Sequence, residues 1–222
     1  MIDFSFETLR RLGLTPAMAQ TLATVDVATT APADGIPHQW MRATAVHRET
    51  VDVHDGTDQH SARCTTRLTR ALEDQGSALA VGDWVLCSVD EHQQRWVTER
   101  APPLSQIVRR DADGSRHTIV SNVDTALLVM GLDLDFNLQR LERYLALVGS
   151  SGVLPVVVLT KADIALQTAH HAVEQRLQQV RARVGQHVDV VAVDARSDAA
   201  AQALRPYLGM GQTLVLLGSS GA

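Results

Sequence analysis

The sequence predicts a small β-barrel over residues 40–104, followed over residues 121–222 by an α/β domain built on a parallel sheet. Three observations predict this. Between residues 40 and 101, four or five short extended runs are separated by turn signals, the pattern of a small closed barrel. From residue 125 onward, continuous apolar runs alternate with helical periodicities, as strands buried on both faces alternate with crossover helices. Between the two regions, Pro102-Pro103 and a polar stretch break both patterns.

In chain order, residues 6–12 and 16–23 read as two short helices, and a loose segment rich in Thr, Ala and Pro follows at 29–35. Residues 1–39 form an N-terminal helical extension. In the barrel, residues 42–53 alternate loosely, Asp55-Gly56 marks a turn, and residues 61–68 are extended. Gly82-Asp83 precedes the run Trp84-Val85-Leu86-Cys87-Ser88-Val89, and a polar turn at 91–94 leads into Trp96-Val97-Thr98. The OB-fold is the common nucleic-acid-binding barrel with this pattern, although other small barrels would share it. Residues 105–120, with Arg109, Arg110 and Arg116, read as an exposed linker.

In the α/β region, residues 125–130, 153–159, 188–193 and 213–217 are the expected strands. The helices fall between them, the first with Leu138, Leu141, Leu145 and Val148 on one stripe. The others cover residues 169–184 and 199–208.

Composition narrows the function. At 222 residues with 45% hydrophobic and 20% charged residues, the chain is an ordinary globular protein of two domains. No apolar stretch reaches the ~18 residues of a spanning helix, and the acidic N-terminus lacks a signal-peptide pattern, so no membrane role and a cytoplasmic location are expected. Cys64 and Cys87 are too far apart for a zinc knuckle and are expected as reduced, buried thiols. His170 and His171 are adjacent, a poor metal clamp, and no metal site is assigned. With a net charge of −5, nucleic-acid binding needs a local patch. Arg63, Arg67 and Arg70 are the first candidates and Arg109, Arg110 and Arg116 the second. A solvated strand face and a mobile linker are the plainer readings of the same residues.

Functional groups in parallel sheets gather at the carboxyl ends of the strands. The second α/β strand ends in Thr160-Lys161-Ala162-Asp163, the third in Asp194-Ala195-Arg196-Ser197, and the fourth in Gly218-Ser219-Ser220-Gly221-Ala222. Guanine presents two donors side by side, N1–H and the exocyclic amine, and one carboxylate, Asp163, satisfies both. Lys161 is the single lysine among 20 basic residues. Its slim stem suits the purine face, with the ammonium reaching backbone carbonyls. A backbone N–H near Asp194-Ala195 can donate to guanine O6. The alternative is a strand-to-helix turn with Asp163 as helix N-cap. Gly218, Ser219, Ser220, Gly221 and Ala222 begin a glycine-rich phosphate loop directly after a buried strand, and a flexible Gly/Ser tail is the alternative there.

Base reading thus precedes phosphate binding, the reverse of the order in ordinary Ras-like GTPases. A barrel followed by such a permuted domain resembles the bacterial ribosome-small-subunit-dependent GTPase family, of the ribosome biogenesis GTPase A type. The resemblance covers roughly residues 40–222. It is carried by Gly82-Asp83-Trp84-Val85, Ser121-Asn122-Val123-Asp124, Phe136-Asn137, Arg143-Tyr144-Leu145 and the two strand-end motifs. It implies an OB-fold, then a circularly permuted P-loop GTPase domain at 121–222, of which only the N-terminal part is expected here.

The implied function is GTP binding and hydrolysis in late maturation of the 30S subunit. GTP and GDP are the implied ligands, with Mg²⁺ once the phosphate loop is complete, and the 30S subunit and 16S rRNA the implied partners of a monomer. Thr160 replaces the family's usual Asn, and Asp194-Ala195 its usual Ser-Ala or Ser-Ser. The loop's Gly-Lys-Ser/Thr, the switch regions and the family's zinc-binding domain are not among the 222 residues. No catalytic residue is therefore assigned, and this chain is expected to be catalytically incomplete. An RNA-binding barrel with a degenerate nucleotide domain and an ATP-binding P-loop protein are the alternatives.

Overall fold

The computed structural model describes residues 5–25, 38–111, 114–163, 170–219 and 221. The expected loose segment at 29–35, Ser220 and Ala222 lie outside the described residues. The chain divides into two compact units, Met1–Asn122 and Val123–Ala222.

In the first unit, β1 (His38–Val46), β2 (Val51–His54), β3 (Gln59–Cys64), β4 (Trp84–Val89) and β5 (Arg95–Arg100) close in the order β1-β2-β3-β5-β4. Every pairing is antiparallel except β3 with β5. This is the expected OB-fold barrel. Strand alternation sorts its apolar residues into two cores. Met41, Ala43, Val51, Val53, Ala62, Val85, Cys87 and Val97 fill the barrel together with Leu68 and Leu72 of α3 (Thr66–Asp74). Trp40, Trp84, Leu86 and Ala101 point outward, against Leu9, Leu14, Met18 and Leu22. Because β4 is buried on both faces, its sequence reads as a continuous apolar run. Cys64 and Cys87 are free thiols, and burial pushes both upward, Cys87 to about 12.

Three expectations are corrected here. The extended run at 61–68 ends at Cys64. Thr65 then caps α3, its hydroxyl accepting from Leu68 N–H at 3.3 Å. Arg67 and Arg70 therefore lie on a helix. The N-terminal helices α1 (Phe6–Arg10) and α2 (Pro16–Thr24) share a core with the barrel instead of forming a separate extension. Residues 105–120 are not a linker: β6 (Gln106–Arg110) and β7 (Arg116–Ser121) pair as an antiparallel hairpin. Its tip reads as polar because every described residue there is exposed, whereas Ile107 at its base is fully buried.

The turn at Asp55-Gly56 ties β2 to β3. Burial, the largest influence on Asp55, raises its pKa. Hydrogen bonds from the N–H of Asp58, the His60 ring and the N–H of Thr57 outweigh burial and bring the carboxyl from 3.8 to about 2. A depressed folded pKa contributes stability that is present above the unfolded value and lost as pH falls through the folded one. Acid titration of barrel unfolding should therefore show a loss between about pH 4 and about 2. Asp55→Asn should flatten that segment of the curve; an unchanged slope would remove the turn from the account.

In the second unit, β8 (Thr125–Gly131), β9 (Leu154–Thr160), β10 (Asp189–Ala192) and β11 (Leu214–Gly218) form a parallel sheet in the order β10-β9-β8-β11. The helices are α4 (Leu138–Gly149), α5 (His170–Val184) and α6 (Asp198–Leu204), the last continued by a 3₁₀ turn at Arg205–Tyr207. Leu127, Val156, Val158 and Val193 pack with Ala200 of α6 on one face of the sheet. α4 contacts β8, β9 and α5, with β8, β9 and β10 proceeding one way across the sheet and β11 returning to the other side of β8. Asp124 fixes the sheet's start: its carboxylate accepts from Thr213 N–H at 2.7 Å and its carbonyl from Leu154 N–H at 2.9 Å.

Candidate guanine nucleotide site

The sheet reverses strand order between β8 and β11, and ligands of such sheets bind at the carboxyl ends beside that point. Three strand ends meet there. β9 ends at Thr160, which pairs with Gly131 at the end of β8, and Leu132 N–H donates to Thr160 O at 2.9 Å. Gly218, closing β11, pairs with Val129. A Cβ on Gly218 would lie 2.7 Å from Val129 O, and one on Gly131 would lie 2.4 Å from the Asp133 carboxylate. Gly218 is demanded by this close approach of backbone, whereas at Gly131 the near atom is the end of a side chain that can turn aside.

Lys161 takes a left-handed conformation, with φ 59°, uncommon outside glycine. The chain then turns at once into helix, since Ala162 and Asp163 are already helical. Asp163 is consequently not the N-cap, which removes the capping alternative. Ala162 N–H donates to Val193 O at 3.3 Å and Val193 N–H to Leu159 O at 2.9 Å, joining the turn to the end of β10.

The Lys161 ammonium donates to the Gly221 carbonyl at 2.6 Å and to Asp133 at 2.9 Å. It thus spans from the second strand end to the glycine-rich segment after β11. The Asp163 carboxylate receives Arg196 at 2.8 Å, a pair whose arginine is 77% exposed. Asp194, 3.6 Å from the same arginine, accepts the Arg196 N–H at 3.0 Å; Ala195 is exposed beside it. The Thr160 hydroxyl is buried with no hydrogen-bond partner among the described residues. An orphaned polar atom at a strand end suits a polar ligand.

Between the two halves lies the turn after β8. Asp133 is held below the usual carboxylate range, first by the hydrogen bond from Lys161 and then by Asp135 N–H. For Asp135 burial is the largest influence and acts upward. Hydrogen bonds from Ser219, Gly131 N–H and Arg140 outweigh it and lower the pKa. Asn137 caps α4, accepting from Arg140 N–H at 2.9 Å. Arg176 stacks on Phe136, 5.1 Å from the ring centre, and donates to Leu132 O.

The structure therefore brings together Thr160, Lys161, Asp163, Asp194, Ala195, Gly218, Ser219 and Gly221. Sequence reasoning missed Asp133, Asp135 and Arg196. The signal for the two carboxylates was their place at the end of the first α/β strand, where functional groups gather.

The arginines named from sequence are dispersed in the first unit. Arg63 is exposed on β3, and Arg67 and Arg70 are exposed on α3. Arg67 is paired with Glu99. Arg109, Arg110 and Arg116 crown the β6–β7 hairpin, with Arg110 directly opposite Arg116.

Residues 100–222 match the family model described as RsgA GTPase. The small ribosomal subunit biogenesis GTPase RsgA of Xanthomonas oryzae pv. oryzae (strain MAFF 311018) is 46% identical over 145 residues, 64% of this chain and 37% of that protein. Its counterpart in Xanthomonas campestris pv. campestris (strain B100) is 44% identical over the same length. The chain thus spans 37% of the length of these curated relatives.

Among solved structures, YjeQ from Thermotoga maritima superposes with a TM-score of 0.61 at 19% identity, covering 83% of this chain and 61% of that one. YloQ, a circularly permuted GTPase, gives 0.57 at 20% identity, covering 86% and 63%. These two show the shared fold. With more than half of its residues matched by the family model, the chain belongs to the RsgA GTPase family.

Proposed function

We propose that this chain supplies the guanine-reading half, and the start of the phosphate loop, of a GTP-hydrolysing factor acting in late maturation of the small ribosomal subunit. The observation that carries the nucleotide reading is Lys161, whose ammonium joins the Thr160-Lys161-Ala162-Asp163 turn to Gly221. One side chain thereby links the base-reading and phosphate-binding segments. Asp163 accepts the two guanine donors, Lys161 lays its stem along the purine, and an N–H at Asp194-Ala195 donates to O6. Adenine lacks the adjacent donors, which disfavours ATP. Arg196 yields Asp163 to the base. Because the arginine of that pair is 77% exposed, it can turn back into solvent at little cost.

Gly218, Ser219, Ser220, Gly221 and Ala222 open the phosphate cradle. Mg²⁺ accompanies the nucleotide when bound, lending positive charge to its phosphates. Among the described residues no group of three or more His, Cys, Asp or Glu could hold a metal ion, so no metal ligand is assigned. The relatives' names support the small ribosomal subunit as the partner; contact with its 16S rRNA, a monomeric state and a cytoplasmic location belong to the same proposal. No helix among the described residues is long and apolar enough to cross a membrane.

Titrating the isotope-labelled chain with GDP, guanosine and ADP tests the reading. GDP and guanosine should shift the amide signals of Lys161, Asp163 and Ala195, with ADP inert at equal concentration. Equal responses to GDP and ADP, or none to either, would end it.

For RNA, the barrel unit carries the proposed contacts at Arg63, Arg67 and Arg70. Replacing all three by Gln should weaken small-subunit binding and lower the salt slope by roughly 1 for each phosphate that is no longer neutralised. Arg67 should matter least of the three, being already paired with Glu99. Unchanged affinity and slope would leave these arginines as surface.

A further inference from the structure

The sheet order β9-β8-β11 leaves one strand between the base-reading end and the phosphate-loop end. The turn leaving that strand, Gly131-Leu132-Asp133-Leu134-Asp135, holds both neighbours. Asp133 receives the Lys161 ammonium at 2.9 Å. The Ser219 hydroxyl lies 2.7 Å from each oxygen of Asp135. Asp135 is in turn held by Arg140 at 2.6 Å and by Gly131 N–H at 3.2 Å, and its own N–H donates to Asp133 at 3.1 Å. The side chains of Asp135 and Arg140 are 19% and 22% exposed, so this pair is more shielded than the Asp163–Arg196 pair.

Charge explains why two carboxylates can stand beside an anion site. Asp133 is matched by Lys161 and Asp135 by Arg140. The pair therefore presents hydrogen-bond acceptors without net negative charge, and the nearby phosphates meet no uncompensated repulsion.

We infer that Asp135 is a positioning residue of the phosphate loop: through Ser219 it fixes where the chain leaves β11, while Asp133 fixes Lys161, so that one turn sets the spacing between base and phosphate subsites. The inference rests on the guanine nucleotide reading above. It assigns Asp135 no contact with nucleotide.

The experiment compares the chain with its Asp135→Ala, Asp135→Asn and Ser219→Ala variants in two measurements. The first is the affinity ratio of GDP to guanosine, which isolates the phosphate subsite. Removing a hydrogen bond to a charged group corresponds to roughly a tenfold change. Asp135→Ala should therefore reduce the ratio about tenfold, with guanosine affinity held within about twofold. Asp135→Asn, which keeps an acceptor for Ser219, should recover most of the ratio. Ser219→Ala should match Asp135→Ala, and the double variant should be no worse than either. An unchanged ratio, or a parallel fall in guanosine affinity, overturns the assignment.

The second measurement needs no ligand. Amide hydrogen exchange at Ser219 and Gly221 should quicken in Asp135→Ala while the β8 and β9 amides keep their protection. Unchanged exchange at Ser219 and Gly221 overturns the inference on its own. Failure of the parent chain to prefer GDP over ADP instead overturns the nucleotide reading, whatever the exchange result.

Discussion

Asp163→Asn should turn a guanine preference into a xanthine preference. An Asn offers one acceptor and one donor where Asp offers two acceptors. Its amine then faces the exocyclic amine of guanine, donor against donor, whereas xanthine presents a carbonyl at that carbon and keeps N1–H. A site built to pair polar edges rejects the wrong partner by up to ~10⁴ when it is enclosed. The Asp163 side chain is 26% exposed, so an inversion of about tenfold or more between guanosine and xanthosine diphosphates is the expected result here. A role confined to the helix predicts otherwise. An acidic residue in the first helical turn is worth only ~0.3–1 kcal/mol through the dipole, and removing it would leave both nucleotides unaffected. Affinities of the two diphosphates for both proteins decide the matter, and a retained guanine preference in the variant would remove Asp163 from base recognition.

The second large effect concerns the barrel. Gly82 sits at φ +90°, and a Cβ there would lie 2.0 Å from the Ser121 carbonyl oxygen. Backbone cannot yield as a flexible side chain can. Gly82 N–H donates to Ala43 O at 2.8 Å, and Gly82 O accepts from the Asn122 side chain at 2.9 Å. Arg42, stacked over Trp84, donates to the carbonyls of Asn122 and Leu12, which ties the same node to the segment after α1. Gly82→Ala should accordingly cost about 3–5 kcal/mol and lower Tm of the barrel unit by ~10 °C or more. Gly76→Ala is the matched control, with φ +60° and nothing within 4 Å of the added carbon. Its cost should stay near ~1 kcal/mol, the strain of left-handed backbone alone. Urea unfolding of both variants separates clash from backbone strain, and equal destabilisation would contradict the crowding at Ser121.

How much was legible varied with the kind of signal. β8 and β9 were plain in sequence because each is buried on both faces, so their residues are continuously apolar. The β6–β7 hairpin was hidden because its tip is polar and its pairing is not written in any one strand. α3 was hidden for another reason. Its buried residues, Leu68 and Leu72, are only two, spaced four apart, and Thr65-Thr66 before them favours strand locally. Burial of those two leucines in the barrel core, a tertiary contact, decided in favour of helix.

The site divides in the same way. Sequence by itself determined the chemistry at each strand end: Lys161 and Asp163 after β9, Asp194-Ala195 after β10, the glycines after β11, and the order in which they come. Those are local properties, set by which residues terminate buried strands. Only the tertiary structure decided that β8 lies between β9 and β11, and so that Asp133 and Asp135 hold Lys161 and Ser219. Strand order follows from the path of the crossover helices across the whole sheet, and contacts between residues 84 positions apart, such as Asp135 with Ser219, leave no periodicity in the chain that makes them.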